Sequence, residues 1–458
     1  MKDSQGLEVS TDSLQTIAAI AQFTEQLLGY GNNLEIIFQG LAADPQSVIL
    51  NAHAAALHLF AENADAPRQA NPYLKTAKKY LATATEREKL YVGAVDAWAQ
   101  GDVDRAVAYH EELAEKFPRD LVSVQIGQYH YFNLGDSQGL LKLIEKVLPA
   151  NDENHYIHGM LAFGLEQCHR LSEAEAAGRK ATEMNRHDPW AHHAVAHVLE
   201  TQGRIEEGID WMESLSDTWE KIGTFYTHNW WHTALYYLDK EDIPKALDLY
   251  DHQIWGRASK EYSQCQIDAI SFLLRLELRG VDVGTRWQEI GLTGRIHEHI
   301  LGYLDLHYIY ALTRAGQDEL VDEMLKSIQA YSDAKSYIRK TWAEVALPAA
   351  RGMVAHARGD WSTTVAALSA ALPRLHETGG SHAQRDLFEQ VYLDALLRLE
   401  DNHQARAVLE KRAAARNTIP VIYRQLALTY KKLGLAEEAS RAARRAEKLS
   451  PKSCANRV

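Results

Sequence analysis

The chain has 458 residues, 46% of them hydrophobic and 24% charged, an ordinary globular balance. Lys and Arg number 49 against 62 Asp and Glu, a formal net charge of −13, which argues against nucleic acid as the main partner. The three cysteines, Cys168, Cys265 and Cys454, form no CxxC and are odd in number, so neither a disulfide framework nor a thiolate zinc site is expected.

The first residues, MKDSQGLEVSTDS, have no apolar core of the kind a signal peptide carries, and no run of 18 apolar residues occurs anywhere. The expectation is a soluble, cytoplasmic chain with no membrane partner. The 11 prolines and 27 glycines are few and fall between periodic segments, where helical hairpins turn. Strand alternation of useful length is absent, so the fold class is all-α.

In chain order, segment 12–62 supplies two or three helices. Residues 86–119, REKLYVGAVDAWAQGDVDRAVAYHEELAEKFPRD, read as a helix, a Gly-Asp turn, a second helix and a closing Pro118. Stretch 121–149 repeats the plan around GQYHYFNLGDSQGLLKLIEKVLP, and 155–189 around GMLAFGLEQCHRLSEAEAAGRKATEMNRHDP. The unit at 190–215 is WAHHAVAHVLETQGRIEEGIDWMESL. Gly101, Gly135 and Gly203 are separated by 34 and 68 residues, the period of a tetratricopeptide repeat and its double.

Looser units follow at 227–254, 302–331, 345–374, 385–414 and 420–449, and the helix in 265–280 has an irregular partner. Small residues such as Ala106, Ala176, Gly208, Ala246 and Ala439 mark where the helices of a hairpin touch. The prediction is a right-handed α–α superhelix, a TPR-like solenoid of about ten hairpins. It runs as one array over residues 12–450, between loose ends at 1–11 and 451–458. The basic last helix, RAARRAEKLSPK, reads as a solvated cap.

Two histidine pairs carry the functional signal. His193/His197 lie in WAHHAVAHVLE and His228/His232 in FYTHNWWHTALYYL, each spaced i, i+4, so both rings of a pair share one helix face. Imidazoles on an apolar face cost free energy unless something satisfies them. With Gly203 as position 15 of its repeat, Trp190, His193, His197 and Glu200 fall at positions 2, 5, 9 and 12, the stripe that lines a concave groove. In the 227–254 unit, His228 and Trp231 take positions 2 and 5, with His232 one step round. Stretches 155–169, 190–202 and 225–239 contain no Lys or Arg. A groove that captures peptide carboxylates needs cations there; this one offers imidazole, indole and phenol, and suits something smaller.

Several long phrases with unusual residues resemble the tetratricopeptide repeat protein 38 family over about residues 35–420. They are LAADPQSVILNAHAAAL, HDPWAHHAVAHVLETQGRIEEGIDWM, HNWWHTALYYLDKEDIPKALDLYD, DAISFLLRLELRGVDVGTRW, LDLHYIYAL and GGSHAQRD. The resemblance implies an α-solenoid of degenerate repeats and no particular reaction.

Three classes of function follow. The first is a small-molecule site, with His193, His197, His232, Asp268 and His307 as catalytic candidates and Trp190, His228, Trp231, Asp305, His382 and Arg385 as ligand-binding candidates. The second is a peptide- or protein-binding scaffold. The third is a metal-dependent enzyme. The sequence itself requires no cofactor, but zinc or iron would suit four imidazoles, with Asp268 or Asp305 adding oxygen. A second copy of the chain is a further candidate partner.

Each candidate also has a plain structural reading. The histidines can satisfy one another without a metal. Asp268, in the apolar QIDAISFLL, is either a base or histidine orienter, or half of an ion pair with Arg275 or Arg295. Asp305 and His307 are two residues apart and do not share a helix face. In GGSHAQRD, Ser381 is an N-cap; His382 and Arg385 either hold an anion at the helix start or pair locally, Arg385 with Asp386. Of the adjacent tryptophans, Trp230 reads as core and Trp231 as ligand-facing.

Overall fold

The computed structural model describes residues 1–291, 295–333 and 340–450; the tail at 451–458, with Cys454, lies outside the described residues. The described chain is helical throughout. Its strand-like pairing is limited to two isolated bridges, Lys2 with Glu8 and Gly31 with Ile222. No described helix is long and apolar enough to cross a membrane.

The repeat logic is written in the turns. The hairpins close on residues with left-handed backbone at Gly101, Gly135, His169, Gly203, Glu241, Gly280, Gly316, Gly359, Glu400 and Gly434. Such a residue ends a helix by turning the chain back on its last carbonyls. His169 stands where the 34-residue period calls for a glycine between Gly135 and Gly203, so the period runs unbroken from 101 to 203. The residue after the turn is often an aspartate that starts the second helix. Asp102, Asp136, Asp242, Asp360 and Asp401 each accept a backbone N–H three residues on. Glu62 closes the hairpin of Val48–Leu59 with Ala66–Lys79 in the same way, so at least eleven such turns occur among the described residues, close to the expected number of hairpins.

The chain divides into two compact units, Met1–Val195 with Leu215–Tyr226, and Ala196–Ser214 with Thr227–Val458. In the first, the core is built from helices α1 (Leu14–Leu28), α2 (Ile36–Ala43), α3 (Val48–Leu59), α4 (Ala66–Lys79) and α5 (Glu86–Ala99), with Phe23, Ile37, Ile49, Leu50 and Tyr91 fully enclosed. Where the sequence suggests a loose start, residues 1–11 are pinned. The N-terminal ammonium donates to the Val9 carbonyl at 2.9 Å. Asp3 and Asp120 hold the buried Arg87 guanidinium at 3.3 and 3.2 Å. A charge this deep survives because both carboxylates neutralise it.

In the second unit, distant segments are tied together by arginines. Arg416 bonds Asp239, which also receives Arg279 at 2.8 Å. Arg424 pairs with Glu241, and Thr418 donates to the Gly203 carbonyl. A Cβ at Gly203 would stand 2.6 Å from Thr418 Oγ1, so this turn needs glycine for space as well as for its backbone angle. Arg412 binds Asp386 and Glu389 at 2.5 and 2.9 Å. The C-terminal hairpins are thereby fastened to the turns that follow the histidine-bearing helices.

Candidate functional site

Two helices carry the paired histidines, α11 (Pro189–Thr201) and α13 (Phe225–Asp239). Neither holds Lys or Arg, and each presents its i, i+4 pair inward. His193, His197, His228 and His232 are at most 4% exposed. Within the second unit, His197, His228 and His232 each offer a nitrogen, and these nitrogens lie within 4.8 Å of one another. The His197 and His232 rings are 4.6 Å apart by their centroids, and those of His228 and His232 are 4.9 Å apart, edge to face.

Two carboxylates aim the rings. Asp268, on α15 (Ser263–Leu278), lies 3.0 and 3.1 Å from His228 Nδ1 through its two oxygens. Gln264 donates to the same carboxylate at 2.7 Å. Glu200, one turn beyond His197 but for a single residue, lies 3.3 Å from His232 Nδ1. With Nδ1–H donated to a carboxylate, the lone pair of each ring is on Nε2, the arrangement that metal-bound histidines usually show. Burial, reinforced by His197, His228 and Arg275, holds His232 well below the usual histidine range, so it is a neutral donor at physiological pH. Burial raises the Glu200 carboxyl, against the pull of Arg416 and His197.

The walls are aromatic. Trp231 is fully enclosed, stacks on His228 at 5.4 Å, meets the edge of His232 at 4.7 Å and donates its indole N–H to Ser271 Oγ at 2.9 Å. The Arg275 guanidinium covers its ring at 5.2 Å. The expected division of the tandem tryptophans is therefore corrected: Trp231 is the enclosed one and Trp230 is only half-buried, because Trp231 is the member of the pair that faces α15. Around His193 the rings of Phe163, Trp190 and Phe225 lie at 5.7, 4.9 and 5.0 Å. Tyr30 stacks on Trp190 at 5.1 Å, so Trp190 is packed among rings and does not stand open to a ligand.

The remaining candidates have other partners. Asp268 pairs with neither Arg275 nor Arg295: Arg275 donates to the carbonyls of Ser271 and Ala383, and Arg295 binds Glu298. Asp305 bonds His299 Nδ1 at 2.6 Å, and His307 donates from Nδ1 to the Tyr303 carbonyl at 2.8 Å. Ser381 caps its helix in a box with Gln384. Arg385 donates to the Gly380 carbonyl and lies 3.5 Å from His382, and Asp386, expected to meet Arg385, is taken by Arg412. The metal-capable group found among the described residues does not include Asp305, His307, His382 or Arg385. Sequence reasoning placed Glu200 on the right stripe without assigning it a role, and overlooked Gln264; only their partners on another helix reveal them.

No protein-family model matches the chain. Solved structures similar to it include a human IFIT1 dimer with PPP-AAAA, at 12% identity and a TM-score of 0.42, covering 97% of this chain and 96% of that one. A human IFIT1 dimer with m7Gppp-AAAA matches at 13% identity and a TM-score of 0.39, with the same coverage. A monomeric IFIT1 mutant with Gppp-AAAA matches at 14% identity and a TM-score of 0.37, covering 98% of each chain.

Proposed function

We propose that this TPR-like solenoid protein binds a divalent transition-metal ion, zinc or iron(II), through His197, His228 and His232. One observation carries the reading: three buried histidines of the second unit offer nitrogens within 4.8 Å of one another. Two of these rings are aimed by carboxylates, as metal-bound imidazoles are. A tetrahedral zinc with bonds of about 2.0–2.1 Å holds its nitrogens about 3.4 Å apart. Side-chain movements of about an ångström would close the cluster on an ion. The resemblance to the tetratricopeptide repeat protein 38 family agrees with the solenoid and leaves the chemistry to these residues.

A small-molecule role belongs to the same place. If three histidines hold the ion, the fourth position would be open to water or a substrate oxygen. The test is metal analysis of the full chain, expressed without an affinity tag and purified without added metal, beside the His197→Ala/His232→Ala double variant. About one equivalent of zinc or iron in the wild type and none in the double variant is expected. Tight binding of cobalt(II) with a visible d–d spectrum would support the site independently. Absence of any metal uptake at micromolar free zinc, or uptake unchanged in the double variant, would overturn it.

A further inference from the structure

A second constellation lies in the second unit, apart from the paired histidines. His299 sits in the loop before α17 (Gly302–Arg314), with left-handed backbone at φ 47°. Its Nδ1 lies 2.6 Å from Asp305 Oδ2. Its Nε2 lies 2.7 Å from the Oγ of Ser327, on α18 (Asp318–Asp333). His299 and Asp305 are buried and Ser327 is half-buried. A non-glycine residue in the left-handed region is disfavoured and is held there only by its surroundings. Here two hydrogen bonds and the rings of Tyr331 and Trp342, at 5.3 and 5.6 Å, fix the imidazole.

We propose that Ser327, His299 and Asp305 form a nucleophilic site that accepts the acyl group of a neutral carboxylic ester. The polarity of the hydrogen bonds follows from the groups. An ionised Asp305 accepts from His299 Nδ1–H, so Nε2 carries the lone pair and accepts from the Ser327 hydroxyl. His297 also reaches this hydroxyl, with Nδ1 2.9 Å from Ser327 Oγ and Nε2 2.9 Å from Glu323. Because the serine has a single proton, His297 takes part as a donor while His299 accepts, and it offers a positive edge to the oxygen that loses its proton. The His297 side chain is 59% exposed, which gives solvent and substrate a way to the hydroxyl.

In the forward step, Ser327 Oγ bonds to the ester carbonyl carbon as its proton passes to His299 Nε2. The C–O bond to the alcohol then breaks, and the same proton leaves on the alcohol. Water completes the cycle, giving its proton to His299 and its hydroxide to the acyl carbon, which releases the carboxylic acid and restores Ser327. The aromatic wall of Tyr331 and Trp342 and the acidic Glu323 suit an uncharged, apolar acyl group better than an anionic one.

The experiment treats the full chain, in the presence of a chelator, with a fluorophosphonate probe and maps the adduct by mass spectrometry. Hydrolysis of p-nitrophenyl butyrate is followed in parallel. Labelling of Ser327 is expected, with none there in Ser327→Ala. His299→Asn, whose side chain tolerates a left-handed backbone, and Asp305→Asn should each slow labelling at least 100-fold while the melting curve stays cooperative. No adduct on Ser327 of the native chain, or equal labelling in both His299→Asn and Asp305→Asn, would overturn the proposal. Because chelator is present throughout, this result is independent of the metal reading.

Discussion

Asp268 is the residue whose role the fold decides most sharply. The sequence leaves it as base, orienter or ion-pair partner of Arg275 or Arg295. In the fold both its oxygens face His228 Nδ1, so it orients. Asp268→Asn keeps the volume and removes the charge that fixes the His228 tautomer. Under the metal reading, the affinity for zinc should fall about 10- to 100-fold with little change in melting temperature, measured by competition with a chelating dye. An unchanged affinity would mean that His228 needs no orienting partner to bind. The i, i+4 histidine spacing was legible because helical geometry fixes which side chains share a face. The carboxylates were not, because Asp268 and Glu200 reach their histidines across 40 and 32 residues of sequence. The same limit hid His299: nothing local announces a left-handed histidine.

The helices were legible for a different reason. A Gly-Asp pair supplies both the left-handed end of one helix and the side-chain cap of the next, so Gly101-Asp102, Gly135-Asp136 and Gly359-Asp360 read directly as turns. His169, Glu241 and Glu400 occupy the same backbone conformation without a glycine, so no Gly-Asp pair marks those turns in the sequence. This gives a prediction about an element. Glu400 is strained at φ 59°, and its ion pair with Lys432 is solvent-exposed on both sides. Glu400→Gly relieves the left-handed strain and gives up only a solvent-screened surface pair, against added entropy in the unfolded chain. The expected result is a small stabilisation, read as a higher urea midpoint at constant slope. A lower midpoint would show that the exposed ion pair outweighs the strain. Glu241→Gly makes a poorer test, since Glu241 is engaged by Arg424.

At the scale of the whole chain, the buried polar groups set its response to acid and to the loss of its long-range ties. Burial pushes His53 and His130 down to about 3 and His307 to about 4. Each is neutral when folded and titrates near 6.5 when unfolded, so the unfolded chain binds more protons at intermediate pH. Their stability contribution is intact above pH 6.5 and is lost as the pH falls toward 3–4, at about 1.4 kcal/mol per pH unit for each group. The urea midpoint should drop steadily between pH 6.5 and 4.5, and His307→Gln, which keeps a donor for the Tyr303 carbonyl, should drop less steeply. A midpoint that stays flat over that range would contradict the assignment of these rings as neutral. Arg416 tests the ties themselves. It bonds Asp239 across 177 residues of sequence, and it is also the largest influence opposing the burial-raised protonation of Glu200. Arg416→Ala leaves Asp239 with Arg279 alone, so the cost should approach, without reaching, the 3–5 kcal/mol typical of breaking a buried pair. The loss should also be local. Hydrogen exchange should quicken in the C-terminal hairpin at 420–449 and at the turn around Glu241, while helices α3–α5 keep their protection. With Arg416 gone, Glu200 shifts further toward its neutral form and holds His232 less firmly, so zinc affinity should fall in the same variant. Uniform loss of protection along the chain would mean that this arginine supports the fold as a whole; unchanged zinc affinity beside local opening would mean that the C-terminal tie and the histidine cluster act independently.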